Sequence, residues 1–262
     1  MAQDLSIAEK FLTSLSAASG LDPLMNDQFL YARDGAIRIA YAPFDHVAKS
    51  ARLVVVGITP GLSQANAALG AARLHQRRGL PLDEVLRLAK LTASFSGGAM
   101  RSNLVAMLDA IGVNHLFDIS STDQLFTPNA EHVHFTSALR YPVFVNGKNY
   151  NGTPDMLKTP VLRQMVETHL AEEATLLPNA LWLPLGPKAE AALQHLASKD
   201  LLKRSRILSG LPHPSGANAE RVAVFLGRKD PALASTQTRP APLLAARKAL
   251  CGQIASLKGE QN

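Results

Sequence analysis

The sequence predicts an α/β fold built on a parallel sheet, and three observations predict it. From Leu53 to Val56, apolar β-favouring residues run without a polar interruption, the pattern of a strand buried on both faces. That strand ends in a turn rich in glycine and proline, Gly57 to Gly61 with Pro60 inside it. Further apolar runs at 132–139 and 180–185 alternate with segments of helical spacing. In an open α/β sheet the loop at the carboxyl end of such a strand faces a crevice where ligands sit. Residues 57–61 are therefore the first candidate site, with Gly57 and Gly61 allowing close backbone approach and Pro60 stiffening the turn.

Composition narrows the class. With 262 residues, 47% of them hydrophobic, the chain can bury an enzyme-sized core, and one domain over 1–262 is expected. A net charge of +6 permits a polyanionic partner without requiring one. A lone cysteine, Cys251, excludes an internal disulfide and any zinc or iron–sulfur site built from several thiolates. No apolar run approaches the ~18 residues of a membrane span, and 1–20 lacks the basic start and apolar centre of a signal peptide. The expectation is a cytoplasmic protein with no metal and no cofactor.

The elements follow in order. Ile7, Phe11, Leu12 and Leu15 predict an amphipathic helix over 6–18, stopped at Gly20. The alternation Ile37, Ile39, Tyr41 predicts a strand before the turn at Pro43, and Asp45 and His46 sit in the loop beyond it as a possible proton-transfer pair or a surface contact. Residues 62–74 read as a helix whose basic end, Arg73 to Arg78, suits either the dipole's negative pole or a phosphate. Helices are predicted over 83–91 and 101–112. Between them, Phe95 beside Gly97 and Gly98 is a core plug or a stacking surface for a planar ligand. The strand at 132–139 presents hydroxyls at Thr136 and Ser137, and 141–154 reads as a long loop offering Lys148 and Tyr150 to a phosphate or a base. A helix over 159–171, a strand over 180–185 with Trp182 in the core, and a helix over 189–196 come next.

A second stretch carries the argument further. A short strand from Arg206 empties into a polar turn, Pro212 to Asn218, before a helix over 219–226. His213, held between Pro212 and Pro214, has the restricted backbone that a fixed hydrogen-bond donor needs. Ser215, just ahead of a helix, can hold an anion through its hydroxyl and nearby amides. A final helix within 239–257 reads as packing, with Cys251 as a small apolar residue upon it.

These motifs together resemble the uracil-DNA glycosylase superfamily. There, a motif written GQDPYH, GINPG or GMNPG ends the first core strand, and one beginning HPS follows the last. Here Gly57-Ile-Thr-Pro-Gly61 and His213-Pro-Ser-Gly-Ala-Asn218 occur in that order. Phe135 to Pro142 is similar to the strand reading TN and then RP, and Leu183 to Ala189 to the piece reading LGxxA, so the resemblance covers about 37–228. It implies a three-layer α/β/α domain with a short, mainly parallel central sheet, flanked by helical extensions. It also implies hydrolysis of the N-glycosidic bond of uracil or a related deaminated base in DNA, by a monomer that flips the base out of the stack. By the same resemblance, His213 stabilises the departing base anion, and Gly57, Ile58 and Gly61 line the base pocket with Phe95 stacked on the ring. Ser215, with Gly216, Asn218, Arg221 and Lys148, is expected against the DNA.

The sequence also departs from the pattern. Thr59 stands where the branches carry Asp or Asn, and a hydroxyl can position a water but cannot act as a base near neutral pH, a contribution typically of about 10²–10⁴-fold. Ser137 replaces an asparagine amide that both donates and accepts at the base edge, which predicts weaker separation of uracil from cytosine. Neither motif holds a lysine for a Schiff base, so no lyase step is expected. Two other classes stay open on the sequence: a glycosylase-fold protein that grips damaged DNA or a base without cleaving, and a different α/β enzyme that holds a phosphate at 57–61.

Overall fold

The computed structural model describes residues 3–13, 15, 22, 26–96, 99–127 and 131–259. Helix α1 (Ser6–Leu12) buries Phe11 and Leu12; the expected stop at Gly20 lies outside the described residues, as do Gly97 and Gly98. Strands β1 (Leu30–Asp34) and β2 (Ile37–Ala40) pair antiparallel. Their turn sets Gly35 at φ 53°, the left-handed region that glycine enters without a Cβ penalty. Only the second of these strands was legible from alternation.

Strand β3 (Leu53–Gly57) is buried throughout, as its uninterrupted apolar run predicts. Four helices follow: α2 (Leu62–Arg77), α3 (Leu82–Ala93), α4 (Met100–Ala110) and the short α5 (Val113–Leu116). Next come β4 (Val133–Ser137), β5 (Val143–Val145) and β6 (Lys148–Asn149). Helix α6 (Pro160–Met165) runs through a π-helical turn at Val166–Leu170 into α7 (Ala171–Leu176). The chain ends with β7 (Leu181–Pro184), α8 (Pro187–Ser198), α9 (Ala219–Phe225) and α10 (Pro240–Gly259).

The parallel sheet has the order β4-β3-β7, with β3 central and Gly57 aligned with Ser137. Beyond β7, the strand expected from Arg206 makes only two isolated parallel bridges, Trp182 with Ile207 and Leu185 with Leu211. Alternation along β3 splits the core. Val54 and Val56 face α2, α3, α6, α7 and α8, while Leu53 and Val55 face α4, α5, α9 and α10. Helices thus cover both faces of a short parallel sheet, the arrangement that buries strands of this composition. Trp182 is fully buried, as expected of a core residue.

A second sheet was not foreseen. Strands β1-β2-β5-β6 form an antiparallel sheet, so the expected long loop over 141–154 is partly a hairpin. Its turn residues, Asn146 at φ 50° and Gly147 at φ 72°, are an Asn-Gly pair with both φ values positive, the signature of a two-residue hairpin turn. The basic end of α2 is tied inward as well. The Arg73 guanidinium donates twice to the Leu15 carbonyl, and Gln76 donates to that of Leu12, fastening the N-terminal segment to α2. Asp45 and His46 do not form a pair. Asp45 is buried and accepts from the hydroxyls of Tyr41 (3.0 Å) and Tyr141 (2.6 Å), whereas the His46 carbonyl accepts from Lys90.

Candidate functional site

The carboxyl ends of the parallel strands open into a cavity of about 1220 Å³. Gly57, Ile58, Thr59, Gly61, Phe95 and Ser137 line one side of it, and His213, Ser215, Asn218 and Arg221 another. The two stretches singled out in the sequence, more than 150 residues apart, therefore meet in one space. Two expected residues stand apart: Gly216 is exposed in a short 3₁₀ turn, and Lys148 is exposed on β6, with neither lining the cavity.

Gly57 keeps a slot open. A Cβ built upon it would lie 3.4 Å from the Ser137 hydroxyl oxygen and 3.5 Å from the Phe95 ring. That ring stands edge-on to Phe135, with centroids 5.7 Å apart. Phe95 adopts φ 50°, a backbone state costly for a bulky side chain, which the surrounding packing must hold in place. Strain of this kind clusters at ligand sites. The turn that leads from β3 into α2 is fixed by side chains: the Gly61 amide donates to Gln64 Oε1 and the Leu62 amide to Asn149 Oδ1, each at 3.0 Å.

His213 is oriented from several directions. Its Nδ1 accepts the Ser215 backbone amide at 3.3 Å, which leaves the proton of the neutral ring on Nε2 as a donor. Burial lowers its pKa from the usual histidine value, so the ring is neutral at pH 7. Asn103 of α4 donates to the Pro214 carbonyl at 3.0 Å and braces the same loop. Gly186, at φ 87°, lets the chain turn away from β7 beside His213, whose Cβ is only 3.7 Å from where a side chain would start.

Thr59 has less freedom than its position in the motif suggests. Its hydroxyl donates to the Tyr141 carbonyl at 3.0 Å and accepts from the Val143 amide at 3.2 Å, joining the exit of β3 to β5. One lone pair is left, enough to receive a hydrogen bond from a water but not to activate it.

The cavity has walls that the sequence did not advertise. Pro242, Leu243 and Ala246 of α10 line it, so the terminal helix read as packing also shapes the site. Lys90, Thr136 and Arg140 line another part, next to a buried cluster of charge. There Arg140 binds the Glu173 and Glu172 carboxylates and the His169 carbonyl at 3.0–3.1 Å. Burial opposes the charge of Glu173, yet Arg140 and Lys90 outweigh it and hold that carboxyl well below its usual range. His134 Nε2 stands 3.3 Å from Glu173 Oε2, off line for a hydrogen bond and an ion pair only when the ring is protonated. Periodicity hides all of this: Lys90 falls on the apolar face of α3 and reads as an isolated lysine.

Fold and cavity define an α/β protein with a large cavity at the carboxyl edge of a parallel sheet. The chain is 36% identical over 210 residues to "Uncharacterized protein YoxB" of Bacillus subtilis (strain 168), a match covering 79% of this chain and 82% of that protein. It belongs to the same family as that protein. No family model and no solved structure matches the chain.

Proposed function

We propose that this protein is a monofunctional DNA glycosylase that hydrolyses the N-glycosidic bond of uracil, or a related deaminated base, in DNA. The observation that carries the reading is the neutral His213, its Nε2–H left as the donor, in the same cavity as the slot bounded by Gly57, Phe95 and Ser137. A departing uracil takes negative charge onto its ring oxygens, and a pre-oriented neutral donor stabilises that charge without reorganising. Phe95 supplies the stacking face. Ser215 and Arg221, at the same mouth, suit the flanking phosphates. The strand order β4-β3-β7 with a further parallel segment at 207–211 supports a uracil-DNA glycosylase-like fold, and the domain then spans 1–262 as one unit. Such an enzyme works as a monomer in the cytoplasm, without metal or cofactor; among the described residues no helix is long and apolar enough to cross a membrane.

The test is abasic-site formation on single- and double-stranded oligonucleotides carrying one uracil. The parent protein should yield product, and His213→Ala should lose it by about 10²-fold or more. Thr59→Ala should fall by less, since the hydroxyl can only position the water. Thr59 also favours a second reading. With its donor committed to Tyr141, the site contains no group that activates water at that position, as a protein that binds damaged DNA or a base without cleaving it would have. Binding to uracil-containing DNA with no abasic product at high protein concentration selects that reading.

A further inference from the structure

The resemblance leaves one recognition task without an obvious residue. Ser137 stands where an asparagine amide would read the base edge, and a hydroxyl that both donates and accepts separates a carbonyl from an amino group poorly. The cavity contains a group that separates them well. Lys90 is 4% exposed, lines the cavity, and sits one helical turn before Ser94, whose amide bonds to its carbonyl, and Phe95. One of its three ammonium hydrogens goes to the His46 carbonyl at 2.7 Å; among the described residues its nitrogen makes no other hydrogen bond. Beside it on β4, Thr136 lines the cavity, but its hydroxyl is shielded from it and has no hydrogen-bond partner among the described residues. Thr136 adjoins Ser137, and its carbonyl lies 3.7 Å from the Cβ position of Gly57, which joins this wall to the slot.

We infer that Lys90 is the specificity-determining residue in the wall of the base slot, selecting a heterocycle whose far edge carries a carbonyl over one that carries an amino group. An ammonium is donor-only. Set against a carbonyl such as uracil O4, it makes a charge-assisted hydrogen bond; set against the amino group of cytosine, donor faces donor and both stay unsatisfied in a buried place. Thr136, its hydroxyl shielded from the cavity, takes no part in the choice. This deepens the glycosylase reading and rests on it for the identity of the bases, though not for the choice between the two edges.

The lysine also makes the choice sensitive to pH. Burial lowers its pKa to about 8, against the pull of Glu173 and Asp45 and with the repulsion of Arg140. The neighbouring His46 and His134 have pKa values lowered to about 3 and about 4 and are neutral throughout the alkaline range. Below pH 8 Lys90 is donor-only. Above it the neutral amine can accept as well, and selectivity should fall.

The experiment compares uracil with cytosine at the same position in an oligonucleotide, for the parent, Lys90→Met and Thr136→Val, at pH 7 and pH 9. The expected result is a uracil-to-cytosine ratio that drops about tenfold or more in Lys90→Met, drops in the parent at pH 9, and holds in the control Thr136→Val, whose hydroxyl is shielded from the cavity. A folded Lys90→Met protein with the parental ratio overturns the inference. Should that variant fail to fold, the parent decides: a ratio unchanged between pH 7 and pH 9 overturns it, and a falling one supports it. If no base is excised from DNA, the ratio is read instead as binding of free uracil and free cytosine by ligand-observed NMR. A lysine-dependent preference for uracil there upholds this inference while the glycosylase reading falls, and equal binding, or none, overturns the inference.

Discussion

Among single residues, the buried histidines make the clearest statement about stability. His134 and His169 are almost fully buried, and burial is the largest cause that lowers each pKa from 6.5 to about 4. An unfolded chain would protonate them near 6.5, so between that pH and about 4 the unfolded state holds more protons than the native one. Their neutral burial is fully tolerated above pH 6.5, and stability is lost as the pH falls through that window, on the order of 1–3 kcal/mol per histidine. Thermal melts taken from pH 7.5 down to pH 4.5 should show a falling Tm, with a shallower slope in His134→Gln. A flat profile in the parent would refute the assignment. His213 shows the same chemistry: burial lowers its pKa, and one backbone amide sets its tautomer.

The secondary-structure elements show where pattern reading works and where it fails. The run from Leu53 to Val56 and the turn after it were legible because a strand buried on both faces leaves no room for polar residues. The hairpin of β5 and β6 was read as a loop although its Asn146-Gly147 turn was in plain view; strands of three and two residues are too short for alternation to register. Helix α10 was legible as a helix but not as a wall of the cavity, because its place is set by a contact with a distant glycine. Gly210, at φ 109°, has the Ala246 side chain so close that a Cβ there would come within 2.7 Å of it. Gly210→Ala should therefore strain the backbone and push α10 outward, destabilising the fold by about 1–3 kcal/mol. A Tm drop measured by calorimetry, together with altered ligand affinity, is the expected outcome; an unchanged Tm would show that α10 docks loosely.

At the scale of the whole molecule, charge bears on the DNA partner proposed above. On the proposed glycosylase reading, with a net charge of +6 and Arg221 and Lys188 lining the cavity, DNA binding should be dominated by phosphate neutralisation. With about two phosphates neutralised, affinity should fall by about tenfold between about 50 and 200 mM salt, with a linear log–log slope. Fluorescence anisotropy on a labelled oligonucleotide reads this directly, and salt-independent binding would point to a small-molecule ligand in place of DNA.

The sequence alone determined the central strand, the glycine turn, the helices around them and the two motifs, because burial and turn chemistry act on neighbours in the chain and leave a local record. It named His213, Phe95 and Ser137 before their geometry was visible. Only the tertiary structure decided that the Thr59 hydroxyl is tied to Tyr141 and Val143, that Lys148 stands outside the cavity, and that Lys90 stands within it. Each of those depends on atoms brought together from elements 40 to 90 residues apart. A side chain's hydrogen-bond partners are set by packing in three dimensions, and no local pattern encodes them.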